Sequence, residues 1–202
     1  MRITILIIIL LVLVLSVILW MYFLIPESSS LVISEKPPVI ENKLKTHTLL
    51  FAGDIMLDRG VEWKIQQHDN DWKWPFLLIS DMLNEADLVF GNLENPISDT
   101  GERVGSIYSF RANPQSIQGL THAGFDVLSV SNNHSFDYGR IAFADSLTRL
   151  KEAGIGYAGG GFSSTEAHSP FISEVKGTKI GFLAYTSLGG AGWEGGEKRR
   201  HS

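Results

Sequence analysis

The sequence predicts an α/β fold, a layered sheet with flanking helices, and three observations carry that prediction. From Thr46 onward, short apolar runs alternate with stretches of helical period, as strands interleaved with helices do. Three of those runs, Leu49–Asp54, Leu88–Glu94 and Val127–His134, end in clusters of Asp, Glu, Asn or His. Open α/β sheets place their chemistry just beyond the carboxyl ends of strands, so the three clusters are expected to converge on one point.

Before the fold begins, Ile3 to Ile25 is uncharged, with only the small polar Thr4 and Ser16 interrupting it. At about 1.5 Å per residue the run reaches roughly 34 Å, enough for a hydrocarbon core of about 30 Å. Trp20 and Tyr22 lie near its far end, where amphipathic rings favour the interface, and Pro26 closes it. It exceeds the apolar region of a signal peptide, about 7–15 residues, and no A-x-A-like site follows. Residues 1–25 are therefore expected to be a retained transmembrane helix. Only Met1 and Arg2 precede it, the arrangement of a signal anchor. The expected location is the cell membrane, single-pass, with the folded domain outside the cytoplasm. Residues 26–45, with their serines, paired prolines and scattered charges, read as a linker.

The elements of residues 46–202 follow in order. A strand is expected over 48–53, and a helix over 74–84 with Phe76, Ile79 and Leu83 on one face. A second strand spans 87–91. Residues 95–112 read as a loop with a short extended piece at 107–110. Pro114 opens a helix carrying Ile117 and Leu120 to a stop at Gly124, and a third strand covers 125–131. The next helix, 139–153, aligns Phe143, Leu147 and Leu150 and ends at Gly154. Strands follow near 155–158, 171–175 and 179–185, with Lys176-Gly177-Thr178 as a hairpin turn. From Gly189 on there is no apolar period, so the domain is expected to be incomplete at its C-terminal end.

Composition narrows the functions. The net charge is −5 and the isoelectric point about 5.7, which argues against a nucleic-acid footprint. There is no cysteine, which excludes disulfides, thiolate zinc sites and cysteine nucleophiles.

Asp54 reads either as a turn residue capping the next helix or as a metal ligand. Glu94 sits past a buried strand end, where a carboxylate is costly unless paired or metal-bound; the alternative is a surface Glu in an Asx-type turn. The run Asn132-Asn133-His134-Ser135-Phe136-Asp137 gathers two amides, an imidazole and a carboxylate, a costly set without a function. Asp137 is expected either to orient His134 or to cap the 139–153 helix. His68, His122, His168 and Asp87 stand alone and read as surface or turn residues. Gly159-Gly160-Gly161 reads as a flexible loop rather than a phosphate cradle.

Taken together, Gly53-Asp54-Ile55-Met56, Gly91-Asn92-Leu93-Glu94, Ser131 through Gly139 and Phe182 through Thr186 resemble the poly-γ-glutamate capsule biosynthesis family, the CapA proteins. The resemblance covers about residues 47–188, and that family is similar in fold to the calcineurin-like metallophosphatases. It implies a metallophosphatase-like sheet and divalent metal ions (Mn, Zn, Fe or Mg). It implies Asp54 as a ligand to one metal, Glu94 as the bridging carboxylate and Asn133 as a ligand to the second. His134 would be the near-metal catalytic imidazole, with Asp137 beside it. Two departures are visible: Met56 stands where the metallophosphatases have a histidine, and no Gly-His-x-His block follows before Ser202. The implied function is biosynthesis or export of capsular poly-γ-glutamate or a related anionic polymer, with metal-dependent hydrolysis as the possible reaction. The implied partners are the membrane, the polymer and other membrane subunits of a capsule-synthesis complex. The alternatives are a non-catalytic accessory subunit of such a complex and a truncated, inactive fragment.

Overall fold

The computed structural model describes residues 2–24, 46–104 and 107–188, with side-chain surroundings in the first stretch from residue 11 on. The chain divides into two units, Met1–Leu44 and Lys45–Ser202. In the first, helix α1 spans Arg2–Phe23, where the sequence places a helix. Its expected passage through a bilayer is not supported: among the described residues, no helix is long and apolar enough to cross a membrane. The linker expected at 26–45 and the tail from Gly189 lie outside the described residues.

The second unit runs β1 (Leu49–Ile55), α2 (Gly60–Gln66), a 3₁₀ turn (Trp74–Phe76), α3 (Ser80–Asn84), β2 (Leu88–Leu93), α4 (Ser116–Ala123), β3 (Val127–Ser129), α5 (Gly139–Glu152), β4 (Gly156–Ala158), α6 (Ser164–His168), β5 (Phe171–Val175) and β6 (Thr178–Phe182). The first four strands form one parallel sheet in the order β1-β2-β3-β4, and β5 and β6 pair as an antiparallel hairpin. The α/β architecture is as the sequence predicts.

Three layers result. Val89, Leu93 and Leu128 on one face of the parallel sheet pack with Leu83 of α3, Leu120 and Ala123 of α4, and Phe143, Leu147 and Leu150 of α5. Alternation sends Leu88, Phe90 and Val127 to the other face, where Phe171, Val175, Ile180 and Phe182 of the hairpin cover them. Phe90 and Phe182 stack there with ring centres 5.3 Å apart. All the crossover helices therefore share one face, and the carboxyl ends of β1, β2 and β3 point the same way.

Several expectations need correction. The helix expected over 74–84 is broken: Ile79 sits at φ −122°, outside helical backbone, and Leu78 is fully exposed, so the apolar spacing is shared between two short turns. Helices α2 and α6 are absent from the sequence reading; each is under two turns long, too short for a periodic signal. The extended piece expected at 107–110 is not a strand; the loop is pinned instead by the isolated bridge Ile97↔Ala112. The last strand ends at Phe182 rather than 185. Gly159-Gly160-Gly161 is packed, not open: a Cβ at Gly159 would fall 2.5 Å from Ser131 Cβ, and one at Gly160 would fall 2.7 Å from Val130 Cγ2.

Two clips fix the hairpin to the unit. Asp87, expected to be an isolated turn residue, accepts from the Thr48 N–H at 3.0 Å and meets Lys176 Nζ at 2.6 Å. His47 Nε2 and Thr178 Oγ1 lie 2.9 Å apart. Lys176 and Gly177 both have positive φ, 49° and 81°, as a two-residue type I′ hairpin turn requires.

Candidate functional site

The first strand end is re-aimed by a bulge. β1 and β2 pair from Leu49↔Leu88 to Phe51↔Phe90 and again at Asp54↔Asn92, so three steps along β1 match two along β2. The extra residue changes the phase: Leu50 and Ala52 face the helix-side core, and so does Ile55. Asp54 is thereby turned out of that core and set beside Asn92, the local re-aiming for which bulges near sites are known. It caps no helix: α2 begins at Gly60, and Arg59 at its N-cap position makes no side-chain capping bond.

Asn92 then joins two carboxylates. Its Nδ2 donates to Asp54 Oδ1 and to Glu94 Oε2, both at 2.8 Å. Its Oδ1 accepts from Asn132 Nδ2 at 3.2 Å. Burial holds the Glu94 carboxyl above its ordinary range, and the neighbouring Asp54 charge pushes it further up. His134 and the Asn92 bond act in the opposite sense.

The third strand end supplies the imidazole. Past β3 the chain turns through Asn132, whose N–H donates to Ser135 Oγ at 3.0 Å, while Ser135 Oγ donates to the Val130 carbonyl at 2.7 Å. Asn132 also donates to the Leu93 carbonyl at 2.8 Å and accepts from the His134 N–H at 2.9 Å, so both ends of its amide are engaged. This fixes His134. Its Nδ1 donates to Asp137 Oδ2 at 2.7 Å, and its Nε2 faces Glu94 Oε1 at 3.7 Å. His134 and Glu94 keep 16% and 18% of their side-chain surface, enough for a small ligand to reach them.

Asp137 orients His134 and does not cap α5, whose first residue follows Tyr138 without a side-chain cap. The same Asp137 oxygen accepts from the Phe110 N–H at 2.8 Å, and the Phe110 ring centre lies 4.5 Å from that of His134. Asp58 joins this loop to the first strand end: its two oxygens accept from the N–H groups of Arg59, at 2.6 Å, and Arg111, at 2.9 Å.

Of the residues the sequence singles out, Asp54, Glu94, His134 and Asp137 lie in one hydrogen-bonded cluster through Asn92 and Asn132. Asn133 is exposed and, among the described residues, makes no hydrogen bond to the others. Sequence reasoning misses Asn92 and Asn132 as the connecting amides. Asn92 sits inside a strand among apolar residues, and only the bulge in β1 places it opposite Asp54. The signal for Asn132 was its doubling with Asn133, which left open which amide faces inward.

The donors fit a divalent cation in kind. Two carboxylates and an imidazole are hard and borderline ligands, and the like charge of Asp54 that raises the Glu94 carboxyl is what a cation would relieve. Among the described residues, however, no three His, Cys, Asp or Glu side chains are gathered closely enough to hold one. Any ligation must therefore draw on amide oxygens or water as well.

Residues 48–201 match the family described as bacterial capsule synthesis protein PGA_cap. The capsule biosynthesis protein CapA of Bacillus anthracis is 28% identical over 159 residues, 77% of this chain and 38% of that protein. A probable polyglutamine synthesis accessory protein of Mycobacterium tuberculosis is 28% identical over 147 residues, 56% of this chain and 38% of its own length. The match thus spans 38% of the length of each of these relatives. The family match runs from just before β1 through all three polar strand ends, and on that extent the chain belongs to the PGA_cap family of bacterial capsule synthesis proteins.

Proposed function

We propose that this chain serves the synthesis or export of an anionic polymer such as capsular poly-γ-glutamate, as a membrane-anchored protein with a metallophosphatase-like hydrolytic site. The observation that carries the site is the convergence of Asp54, Glu94 and the His134–Asp137 pair through two amides. The uncharged run from Ile3 to Ile25 supports anchoring, with the domain outside the cytoplasm where a capsule polymer emerges.

Asp54, Glu94 and Asn133 would hold the metal; Asn133 is exposed, and its carbonyl oxygen is not tied into the network. A divalent ion bound there would supply Lewis-acid stabilisation of developing negative charge. Asn92 holds the two carboxylates at a fixed spacing by giving each one N–H. Asp137 fixes the His134 ring and keeps the proton on Nδ1, so Nε2 is the nitrogen left to exchange a proton with a leaving group or an attacking water. The rest of a capsule-synthesis complex, as membrane subunits, would deliver the polymer.

The test is divalent-metal binding by the full chain in detergent micelles. Tight binding in the wild type should be lost in Asp54→Ala and in Asn133→Ala. Unchanged affinity in both variants overturns the ligand assignment.

A second reading has its own support. Among the described residues no three acidic or His side chains form a cage, and one relative is named as an accessory protein. A non-catalytic accessory subunit would need no metal, so a folded wild type that binds none favours it.

A further inference from the structure

Arg59 occupies an unusual backbone. Its φ of 54° and ψ of −118° lie in a region that glycine enters and other residues avoid. Nothing in the core requires an arginine there, because the side chain is exposed. Asp58 fixes this conformation by accepting the Arg59 N–H at 2.6 Å and the Arg111 N–H at 2.9 Å. With a ψ of −118° this backbone lies outside the left-handed turn region as well, and such an outlier is a starting point for a functional hypothesis.

The guanidinium lies against the 107–110 loop that borders the site. The Arg59 Cζ lies 4.7 Å from the centre of the Phe110 ring, and that ring lies 4.5 Å from His134. Its Nη2 donates to the Ile107 carbonyl at 2.8 Å, which fixes the plane of the group. Among the described residues, no carboxylate pairs with it. The neighbouring Arg111 differs: it donates to the Thr100 and Gly101 carbonyls at 2.7 and 3.1 Å and lies over the Tyr138 ring. Arg149 is likewise taken up by Asp99 and Asp145.

We propose that Arg59 is the substrate-binding residue of this site, receiving an oxyanion — a phosphoryl or carboxylate group — beside His134. The proposal rests on the functional reading of the Asp54/Glu94/His134 cluster and adds the charge of its ligand. A site with two carboxylates repels an anionic substrate, and a stacked guanidinium with N–H groups to spare answers that repulsion. Arginine suits the task because its planar fork grips two oxygens at once and stacks on an aromatic face, which lysine does poorly.

The test titrates the full chain, in micelles with EDTA, with inorganic phosphate and separately with glutarate. Wild-type binding of at least one anion should weaken about tenfold or more in Arg59→Gln, and less in Arg59→Lys, which keeps the charge without the fork. Thermal melting of both variants identifies any loss that comes from unfolding, and Arg59→Lys then carries the test alone. A tighter response to phosphate marks a phosphoryl ligand, and one to glutarate a carboxylate. No binding of either anion by the wild type, or equal binding by Arg59→Gln, overturns the proposal. A separate Mn²⁺ titration distinguishes the two readings. Absence of Mn²⁺ binding with Arg59-dependent anion binding removes the metal site and leaves Arg59. Mn²⁺ binding with Arg59-independent anion binding does the reverse.

Discussion

Asn92 sits directly across the sheet from Asp54 and donates a 2.8 Å hydrogen bond to its carboxylate. With its second N–H it does the same for Glu94. One neutral amide thus separates and satisfies two like charges. Asn92→Asp would replace both attractive contacts by repulsion. The variant should lose about 2–3 kcal/mol of stability at neutral pH, since hydrogen bonds to charged groups are the stronger ones. Part of that loss should vanish by about pH 4, below the raised range of the Glu94 carboxyl. Urea denaturation at both pH values checks it; an equal loss at each would mean that charge is not the cause.

The His134–Asp137 pair separates orientation from folding. Asp137→Asn keeps the shape but removes the charged acceptor, and a partner of this kind typically contributes about 10–100-fold to activity or metal affinity. The melting temperature should move little in this variant. Asp137→Ala should lower it visibly, because the Phe110 N–H also loses its acceptor. Matching melts with unchanged metal affinity or turnover in Asp137→Asn would remove Asp137 from the site.

Acid should loosen the hairpin first. The Asp87 carboxyl is held below its ordinary range, chiefly by Lys176 and then by the Thr48 N–H. A carboxyl depressed in the folded state contributes stability that is present above its unfolded pKa, about 3.9, and lost as pH falls through the lower folded value. The difference in melting temperature between wild type and Asp87→Asn should therefore be full at pH 6 and shrink below about pH 4. Hydrogen exchange at Val175 and Thr178 should accelerate over the same window. A difference that persists to pH 2 would contradict the clip.

At Gly156 the hairpin leaves no room for a side chain. A Cβ there would stand 2.2 Å from Phe171 Cζ and 2.5 Å from Cε1, so the ring must leave its place. Gly156→Ala should cost about 1–3 kcal/mol, as overpacking does. Phe171→Leu in the same chain should recover part of it, and denaturant midpoints of the three variants decide.

Glu94 offers a test of opposite sign. Burial and the Asp54 charge raise its carboxyl, so its ionised form works against folding above the unfolded pKa, about 4.3. Glu94→Gln should melt higher than wild type in EDTA at pH 7, with the gap closing toward pH 4. A lower melting temperature would show that the Asn92 and His134 contacts outweigh the penalty.

The legible parts of this chain were those with local chemistry. Gly154 follows α5 with Ile155 N–H on the Leu150 carbonyl and Gly154 N–H on the Lys151 carbonyl, a helix end written into the sequence as a glycine after an apolar face. The Lys176-Gly177 turn was equally plain. Residues 74–84 were not, because Phe76 and Leu83 reach the core from separate turns around a non-helical Ile79. The site was legible as charged strand ends, and its members Asp54, Glu94, His134 and Asp137 do meet. Its connectors were not: Asn92 gains its role from a one-residue slip in β1, which no local pattern encodes. The place of Arg59 was not legible, since a positive φ leaves no trace in a side chain.

The strand order β1-β2-β3-β4 bears on synthesis as well as on structure. Each strand lies beside the one made just before it, so the sheet grows at a single edge as the chain emerges. The polar ends arrive in the same sequence: Asp54, then Asn92 and Glu94, then Asn132, His134 and Asp137. A nascent chain released as far as Ala158 already holds every strand of that sheet, while the hairpin that covers its second face has yet to appear. During that interval Leu88, Phe90 and Val127 stand uncovered. Vectorial delivery therefore leaves a brief window of exposed apolar surface that only β5 and β6 close, and a stall between residues 158 and 171 would be the costly place to pause.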